Sequence, residues 1–195
     1  MVSSDPADEV EQAVPDGLGL VRDFVNTWEG ELGTDTGTEE LDSPEALEAW
    51  MRGRGLEVGT GLDGDDLRRA IRFREALRHM LVANSGAELD PATVEVVRRA
   101  ADEAPLQVRV DAAGEAQAEP AEDGVQALFA QTLAAIARAQ ATGTWTRLKA
   151  CTADDCQWAF YDHSRNRSRT WCSMEVCGNR AKTRSYRARR GGRSG

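Results

Sequence analysis

Histidine and tyrosine each occur only twice in 195 residues. Two histidines leave little for acid–base chemistry. There is also no Ser/His/Asp set, no phosphate-binding glycine loop and no internal repeat. An enzyme is therefore the class these residues suggest least. Lysine is scarce as well: Lys149 and Lys182 are the only lysines among 24 basic residues, and the abundance of Ala, Gly and Arg fits a GC-rich bacterial genome. No window approaches the roughly eighteen consecutive apolar residues of a membrane span, so no membrane partner is expected. The opening MVSSDPADEVEQAVPDG is acidic, lacks an apolar run and does not read as a signal peptide. The expected location is a bacterial cytoplasm, in association with the nucleoid.

Cysteine is rare too, and its placement is informative. All four cysteines fall near the C-terminus as Cys151, Cys156, Cys172 and Cys177, a C-x4-C pair, a fifteen-residue spacer and a second C-x4-C pair. Two short Cys loops can supply the four ligands of a tetrahedral zinc ion. A segment of about forty residues buries too little apolar surface to fold unaided, whereas a structural zinc contributes on the order of 10–16 kcal/mol. Two disulfides are the alternative and would suit a secreted chain, but a reducing cytosol favours metal ligands. A catalytic zinc needs an open position and usually His or carboxylate ligands, so four thiolates read as a structural site. His163, the only histidine nearby, reads as an ordinary hydrogen-bonding residue.

Charge is divided just as sharply. From Arg147 onward twelve Lys/Arg face four Asp/Glu, a net of +8; the preceding residues carry twelve basic against 29 acidic, a net of −17, which together give the whole chain's −9. Such asymmetry suggests a basic module that meets a polyanion, carried by an acidic body that does not. Arg165, Arg167 and Arg169 alternate with polar residues and would share one face of an extended segment. After Cys177 the sequence favours a helix on which Arg180, Arg184 and Arg187 form one stripe and Lys182, Tyr186, Arg189 and Arg193 a second. Arginine forks suit phosphate. A basic tail that only solvates the chain, or lies against the acidic body, is the plainer reading.

The motif residues carry a resemblance. Cys177-Gly178-Asn179-Arg180, preceded by Trp171-Cys172-Ser173-Met174 and by Phe160-x-Asp162-x-Ser164-Arg165-Asn166, resembles the CGNR zinc finger over about residues 145–190. The resemblance implies zinc (Zn2+) held by Cys151, Cys156, Cys172 and Cys177, with a DNA-binding role. In the residues themselves, Gly178 permits a backbone conformation other residues resist, Asn179 can cap the following helix, and Asp162, Ser164 and Asn166 look turn-forming. Trp158, Phe160 and Trp171 form the expected small core.

Upstream, residues 1–16 read as a disordered acidic lead. Leu18, Leu20, Val21, Phe24, Val25 and Trp28 mark a helical face, and residues 30–41 read as a loop. Ser43-Pro44 then opens a second helix lined by Leu47, Trp50 and Met51. The strongest helix runs over 63–84, where Leu67, Ala70, Ile71, Arg74, Leu77, Met80 and Leu81 recur and the arginines lie on the outer face. Asp90-Pro91 opens a helix with Val94, Val97 and Ala101 inward. Residues 105–120 alternate as a β-hairpin. Asp123 caps a long Ala-rich helix with Leu128, Leu133 and Ile136 buried, ended by Gly143, and a strand over 146–150 leads into the finger. The short connection predicts that the two parts touch.

Phe24-Val25-Asn26-Thr27, Glu40-Leu41, Ser43-Pro44 and Leu47–Trp50 are similar to the ABATE domain, in order and position over about 17–145. That likeness implies a mostly helical domain that senses a small-molecule effector or mediates assembly, as in a homodimer. Asn26, Trp28 and Trp50 are candidate effector-pocket residues, with core aromatics and a helix-end asparagine as the plainer alternative.

The expected architecture is mainly α (α+β). It comprises a lead (1–16), a helical domain with a small β-hairpin (17–145), a four-cysteine finger in a treble-clef-like layout (146–190) and a flexible tail (191–195). The expected function is a zinc-containing, DNA-binding transcriptional regulator. The candidate phosphate contacts are Arg165, Arg167, Arg169, Arg180, Lys182, Arg184 and Arg187. A protein–protein adaptor or an RNA-binding module remains the alternative use of the same basic face.

Overall fold

The computed structural model describes residues 14–15, 17–30, 37–153 and 155–183. Most of the expected lead, the tail, and the arginine stripes beyond residue 183 (Arg184 and Arg187 among them) lie outside the described residues.

Helix α1 (Leu18–Val25) buries Leu18, Val21, Phe24 and Val25. It stops before Trp28, which begins strand β1 (Trp28–Gly30) instead of extending the helical face. β1 pairs antiparallel with β2 (Gly37–Glu39), so the stretch read as a loop contains a small hairpin. The glycine-rich sequence hid it, because three-residue strands show no alternation to read. Helix α2 (Pro44–Arg52) follows the capping rules: the Ser43 side chain accepts from Ala46 N, and Pro44 sits in the first turn. Helix α3 (Gly64–Ala83) opens on a reciprocal capping box between Asp63 and Asp66.

α3 departs from its expected amphipathic plan. Arg68 and Arg72 point outward, but Arg74 and Arg78 are among the most deeply buried side chains, at 2% and 0% exposure. Their charges are met by carboxylates. The Arg74 guanidinium donates two parallel bonds to Glu39, at 2.6 and 2.7 Å, and one to Glu75 at 2.8 Å. Arg78 donates to Glu75 at 2.9 Å and to the carbonyls of Val25 (2.7 Å), Trp28 (3.4 Å) and Gln157 (3.2 Å).

Helix α4 (Pro91–Asp102) is capped by Asp90 but turned from its expected face: Thr93 and Ala100 are buried, whereas Val94 is 48% exposed and Ala101 is exposed. Strands β3 (Leu106–Val110) and β4 (Ala116–Pro120) form the expected hairpin. Helix α5 (Val125–Thr142) begins at Gly124 without a side-chain cap, so Asp123 does not play that part; Gly143, with φ of 72°, ends the helix in the left-handed region. A single 3-10 turn (Trp145–Arg147) follows, then strand β5 (Leu148–Ala150), shorter than the strand expected. β5 pairs antiparallel with β6 (Ala159–Tyr161).

The β5–β6 hairpin faces two ways. Leu148, Ala150, Ala159 and Tyr161 join the main core built on α1, α3 and α5. Phe160 turns to the other side, into a small cluster with the cysteines and Trp171, and cross-strand Lys149 points the same way as Phe160. Alternation along a strand produces this division. The two parts of the chain therefore meet along a shared wall. Asn84 at the end of α3 fastens it, donating to the carbonyls of Trp145 (3.0 Å) and Leu148 (2.8 Å).

Removing one partner of a buried charge network leaves the others desolvated and unmet, at a cost of about 3–5 kcal/mol. Arg78→Ala is expected to lower folding stability by that amount, against under about 1 kcal/mol for exposed Arg72→Ala. Chemical denaturation of the two variants measures the difference.

Candidate metal centre and nucleic-acid interface

The first cysteine pair lies on the turn between β5 and β6, the second at the start of the last described helix. Ser173 caps that helix, its hydroxyl accepting from Val176 N at 3.3 Å. A π-helical turn (Met174–Gly178) follows, continuing helically over 179–183. This is the treble-clef-like layout: a hairpin knuckle faces a helix N-terminus. The cap is Ser173 and not Asn179, which lies inside the helix and donates to the Glu175 carbonyl at 2.9 Å. Gly178 does not adopt an unusual φ; a side chain there would displace the flexible Met174. A Cβ there would come within 2.5 Å of Met174 Sδ and 3.4 Å of the Trp171 ring.

The ligand atoms of Cys151, Cys156, Cys172 and Cys177 all lie within 4.8 Å of one another. Cys156 and Cys172 Sγ are 3.5 Å apart, Cys172 and Cys177 Sγ 3.7 Å. All four are free thiols, so the disulfide alternative falls away. Cys151 and Cys177 are buried, the other two half-buried. Four sulfurs this close cannot all be thiolates unless a cation neutralises them. Hydrogen bonds from Cys156 and Cys172 push the Cys151 thiol down, while the same contacts push Cys156 and Cys172 up. A tetrahedral ion with metal–sulfur bonds of about 2.3 Å sets its ligands about 3.8 Å apart, close to the spacing here. The donor set fits a metal ion and makes this a metal-binding cysteine cluster.

Around the cluster the arginines take different positions. Arg180 donates to Cys177 Sγ at 3.3 Å and pairs with Asp155 at 3.1 Å. Arg169 is half-buried, donates to the carbonyls of Trp171 and Cys172, and lies over the Phe160 ring at 5.4 Å. Arg165, Arg167 and Lys182 are exposed. The arginines at 165, 167 and 169 do not share one face. The chain turns at 164–167, where Arg167 N donates to the Ser164 carbonyl and Arg167 adopts a positive φ of 52°. Asp162 makes the turn, as its sequence position suggested: it accepts from Ser164 N at 2.9 Å and Arg169 N at 3.0 Å.

What sequence reading missed is Lys149. Its ammonium is buried, 2.8 Å from Asp162, and also donates to the carbonyls of Arg167 (2.6 Å) and Arg169 (3.1 Å). One lysine thus holds both ends of the arginine loop. The partners lie 13 to 20 residues away, so no local pattern could reveal them; the one hint was a lysine in a chain that has only two. Of the expected small core, Phe160 and Trp171 pack with the cysteines, whereas Trp158 is half-buried outside that cluster. His163 is exposed beside Tyr161, with ring centroids 4.7 Å apart, and is no part of the cysteine cluster.

Residues 147–190 match the CGNR zinc finger. Residues 18–143, well over half of the sequence, match ABATE, a family described as "Putative stress-induced transcription regulator". The chain belongs to the ABATE family. No curated protein matches it. Neither family description names an enzymatic activity, and among the described residues no helix is long and apolar enough to cross a membrane.

The three candidate effector residues of the ABATE part each make structural contacts. Asn26 clasps the backbone of β6, donating to the Ala159 carbonyl at 3.0 Å and accepting from Ala159 N at 2.7 Å. Trp50 packs in the core against Phe24 at 5.4 Å, with Arg54 stacked over it at 3.9 Å. Trp28 lies under the Arg78 guanidinium at 5.2 Å. An open cleft of about 770 Å³ lies elsewhere, bordered by Arg54, Glu57, Arg109, Glu119, Asp123 and Arg138, and none of the three lines it.

Burial pushes the Asp162 carboxyl up, but hydrogen bonds from Lys149, Ser164 and Arg169 outweigh it and bring it down to about 2, from an ordinary 3.8. A lowered carboxyl contributes stability above its unfolded value and loses it as pH falls through the folded one. The stability gap between wild type and Asp162→Asn should therefore be constant above about pH 4 and narrow towards pH 2. Denaturation midpoints of both chains, followed across that range, measure it; a gap that ignores pH would remove Asp162's charge from the account.

Proposed function

We propose that the chain is a zinc-dependent, DNA-binding transcription regulator. The observation that carries this reading is the convergence of all four cysteines on one point, from which an arginine-bearing loop and a basic helix both emerge. The sulfur spacings of 3.5 and 3.7 Å suit the Zn–S bond length of about 2.3 Å. The four thiolates leave no open position, so the ion acts as a structural tie between knuckle and helix. Arg165 and Lys182, exposed on those two elements, are the phosphate contacts proposed from the described residues, with Arg167 beside them. Arg169, half-buried, supports the surface from within, and the exposed Arg180 is held by Cys177 and Asp155. The ABATE part is the regulatory element, acting on the finger where Asn26 and Arg78 grip the β5–β6 hairpin. The family description and the charge division, −17 before Arg147 and +8 after it, support the same reading.

Each phosphate neutralised releases counterions, so binding weakens linearly in log–log terms as salt rises. Arg165→Ala and Lys182→Ala are each expected to shallow that slope by about 1 and to weaken binding to all duplexes alike. Fluorescence anisotropy with labelled genomic fragments measures both quantities. Stripping the metal with a chelator is expected to abolish binding, and elemental analysis to find one zinc per chain. A flat salt dependence would refute duplex binding; capture by a protein or RNA in its place would point to the adaptor or RNA alternative.

A further inference from the structure

The turn that carries Cys151 and Cys156 is held in shape by bonds that involve no metal. Within it, Cys151 N donates to the Trp158 carbonyl at 2.9 Å, and Cys156 N and Gln157 N both donate to the Ala153 carbonyl, at 3.0 and 3.3 Å. Gln157, next to the second ligand, adopts a φ of 50°. A residue with a Cβ resists that left-handed conformation. Its own side chain does nothing to hold it, for Gln157 Oε1 is buried with no hydrogen-bond partner among the described residues. The hold comes from the ABATE part. Arg78, fully buried and anchored to the Val25 carbonyl and Glu75, donates to the Gln157 carbonyl at 3.2 Å. Two residues on, Asn26 engages both the N–H and the carbonyl of Ala159, at 2.7 and 3.0 Å.

The second cysteine pair is held differently. Its bonds come from the finger itself. Thr152 N and Oγ1 donate to the Thr170 carbonyl (3.0 and 3.1 Å), Arg169 donates to the carbonyls of Trp171 and Cys172, and Ser173 caps the helix. One half of the metal site is braced by the helical body, the other by the finger.

We infer that Arg78 and Asn26 are positioning residues for the metal ion, so that the helical body sets the affinity of a site to which it contributes no ligand. This rests on the cysteine cluster being a metal site and is independent of what the finger binds. Drawing ligands together from a mobile chain consumes part of the binding free energy. A half-site already in ligand geometry avoids that loss. β6 is packed in the main core, so a change of φ at Gln157 swings the residue before it. Released from Arg78, Gln157 relaxes to a negative φ and carries Cys156 Sγ away from Cys172 Sγ, 3.5 Å from it as things stand. Asn26 guards the other end by fixing where β6 begins. Linkage between two equilibria is reciprocal, so a bound ion in turn tightens the grip of the knuckle on α1 and α3. Outer partners of metal ligands govern affinity by about 10- to 100-fold.

The zinc affinity of the full-length chain tests this, measured by competition with a chromogenic chelator, with circular dichroism to confirm that each variant folds. Arg78→Lys, which keeps the charge and loses the planar fork, and Asn26→Ala are each expected to bind Zn2+ at least about tenfold more weakly. Gln157→Gly, for which a positive φ carries little penalty, is expected to restore part of the Arg78→Lys loss. A general weakening of the body has no such remedy in the finger. Met51→Ala, which opens a cavity in the core beside α2, is expected to lower stability and leave zinc affinity unchanged. Should Arg78→Lys not fold, Asn26→Ala carries the test. Wild-type affinity in either folded variant, an equal loss in Met51→Ala, or a glycine that restores nothing overturns the proposal. A wild-type chain that takes up no zinc is a separate result, and removes the metal reading itself.

Discussion

A guanidinium with no access to water has to find acceptors for its donors, and Arg78 finds them on three separate parts of the chain. The Val25 carbonyl ends α1, where the last turn of a helix leaves its oxygens without partners. The Trp28 carbonyl opens the first hairpin. The Gln157 carbonyl belongs to the knuckle between the first two cysteines and β6, on a residue held at a positive φ of 50°. A cation at a helix C-terminus is also favoured by the helix dipole. The burial of this charge obliges Glu75 to be present, Glu75 also meets Arg74, and Arg74 takes Glu39 on β2. The network alternates in sign and is neutral as a whole. Well-packed apolar side chains in place of such a network are often neutral for stability; what it fixes is position.

That position matters because the β5–β6 hairpin belongs to both halves. Leu148 and Ala150 lie in the helical core, while Lys149 between them reaches the opposite way to Asp162 and the arginine loop. A shift of the hairpin relative to α3 would move Leu148 and Lys149 together, and with them the turn that carries Cys151 and Cys156. The metal site and the ABATE core are thus coupled by a strand with one face in each, not by a linker.

Much of this was legible in the sequence, wherever the relevant physics was local. Cysteine spacing gave the metal cluster, Ser43-Pro44 and Asp63 gave helix starts, and alternation over 106–110 gave a hairpin. What was not legible is long-range. Position 78 shares a face with 74, 77 and 81, but a charged side chain suggests an outer place, and only the carboxylate of Glu75 together with carbonyls up to 79 residues away makes its burial tolerable. The same holds for Arg169, whose role is set by Trp171 and Cys172 carbonyls on a folded loop. Asn179 is not the cap because the helix begins earlier, at Met174, where Ser173 accepts from Val176 N at the ordinary three-residue spacing.

Counting charges along a chain overstates what a surface can offer. Of the basic residues from Arg147 onward, Arg147 is bonded to the Asp162 and Ser164 carbonyls, Lys149 is buried, Arg169 is bonded to backbone, and Arg180 is taken up by Cys177 and Asp155. A divalent ion held by four thiolates adds a further net −2 that a count of Asp and Glu leaves out. Arg180, placed against one of those sulfurs, offsets part of it. Among the described residues of the finger, the basic side chains left over are Arg165, Arg167 and Lys182. The arginines already bonded matter in a different way, by fixing where the outward ones stand.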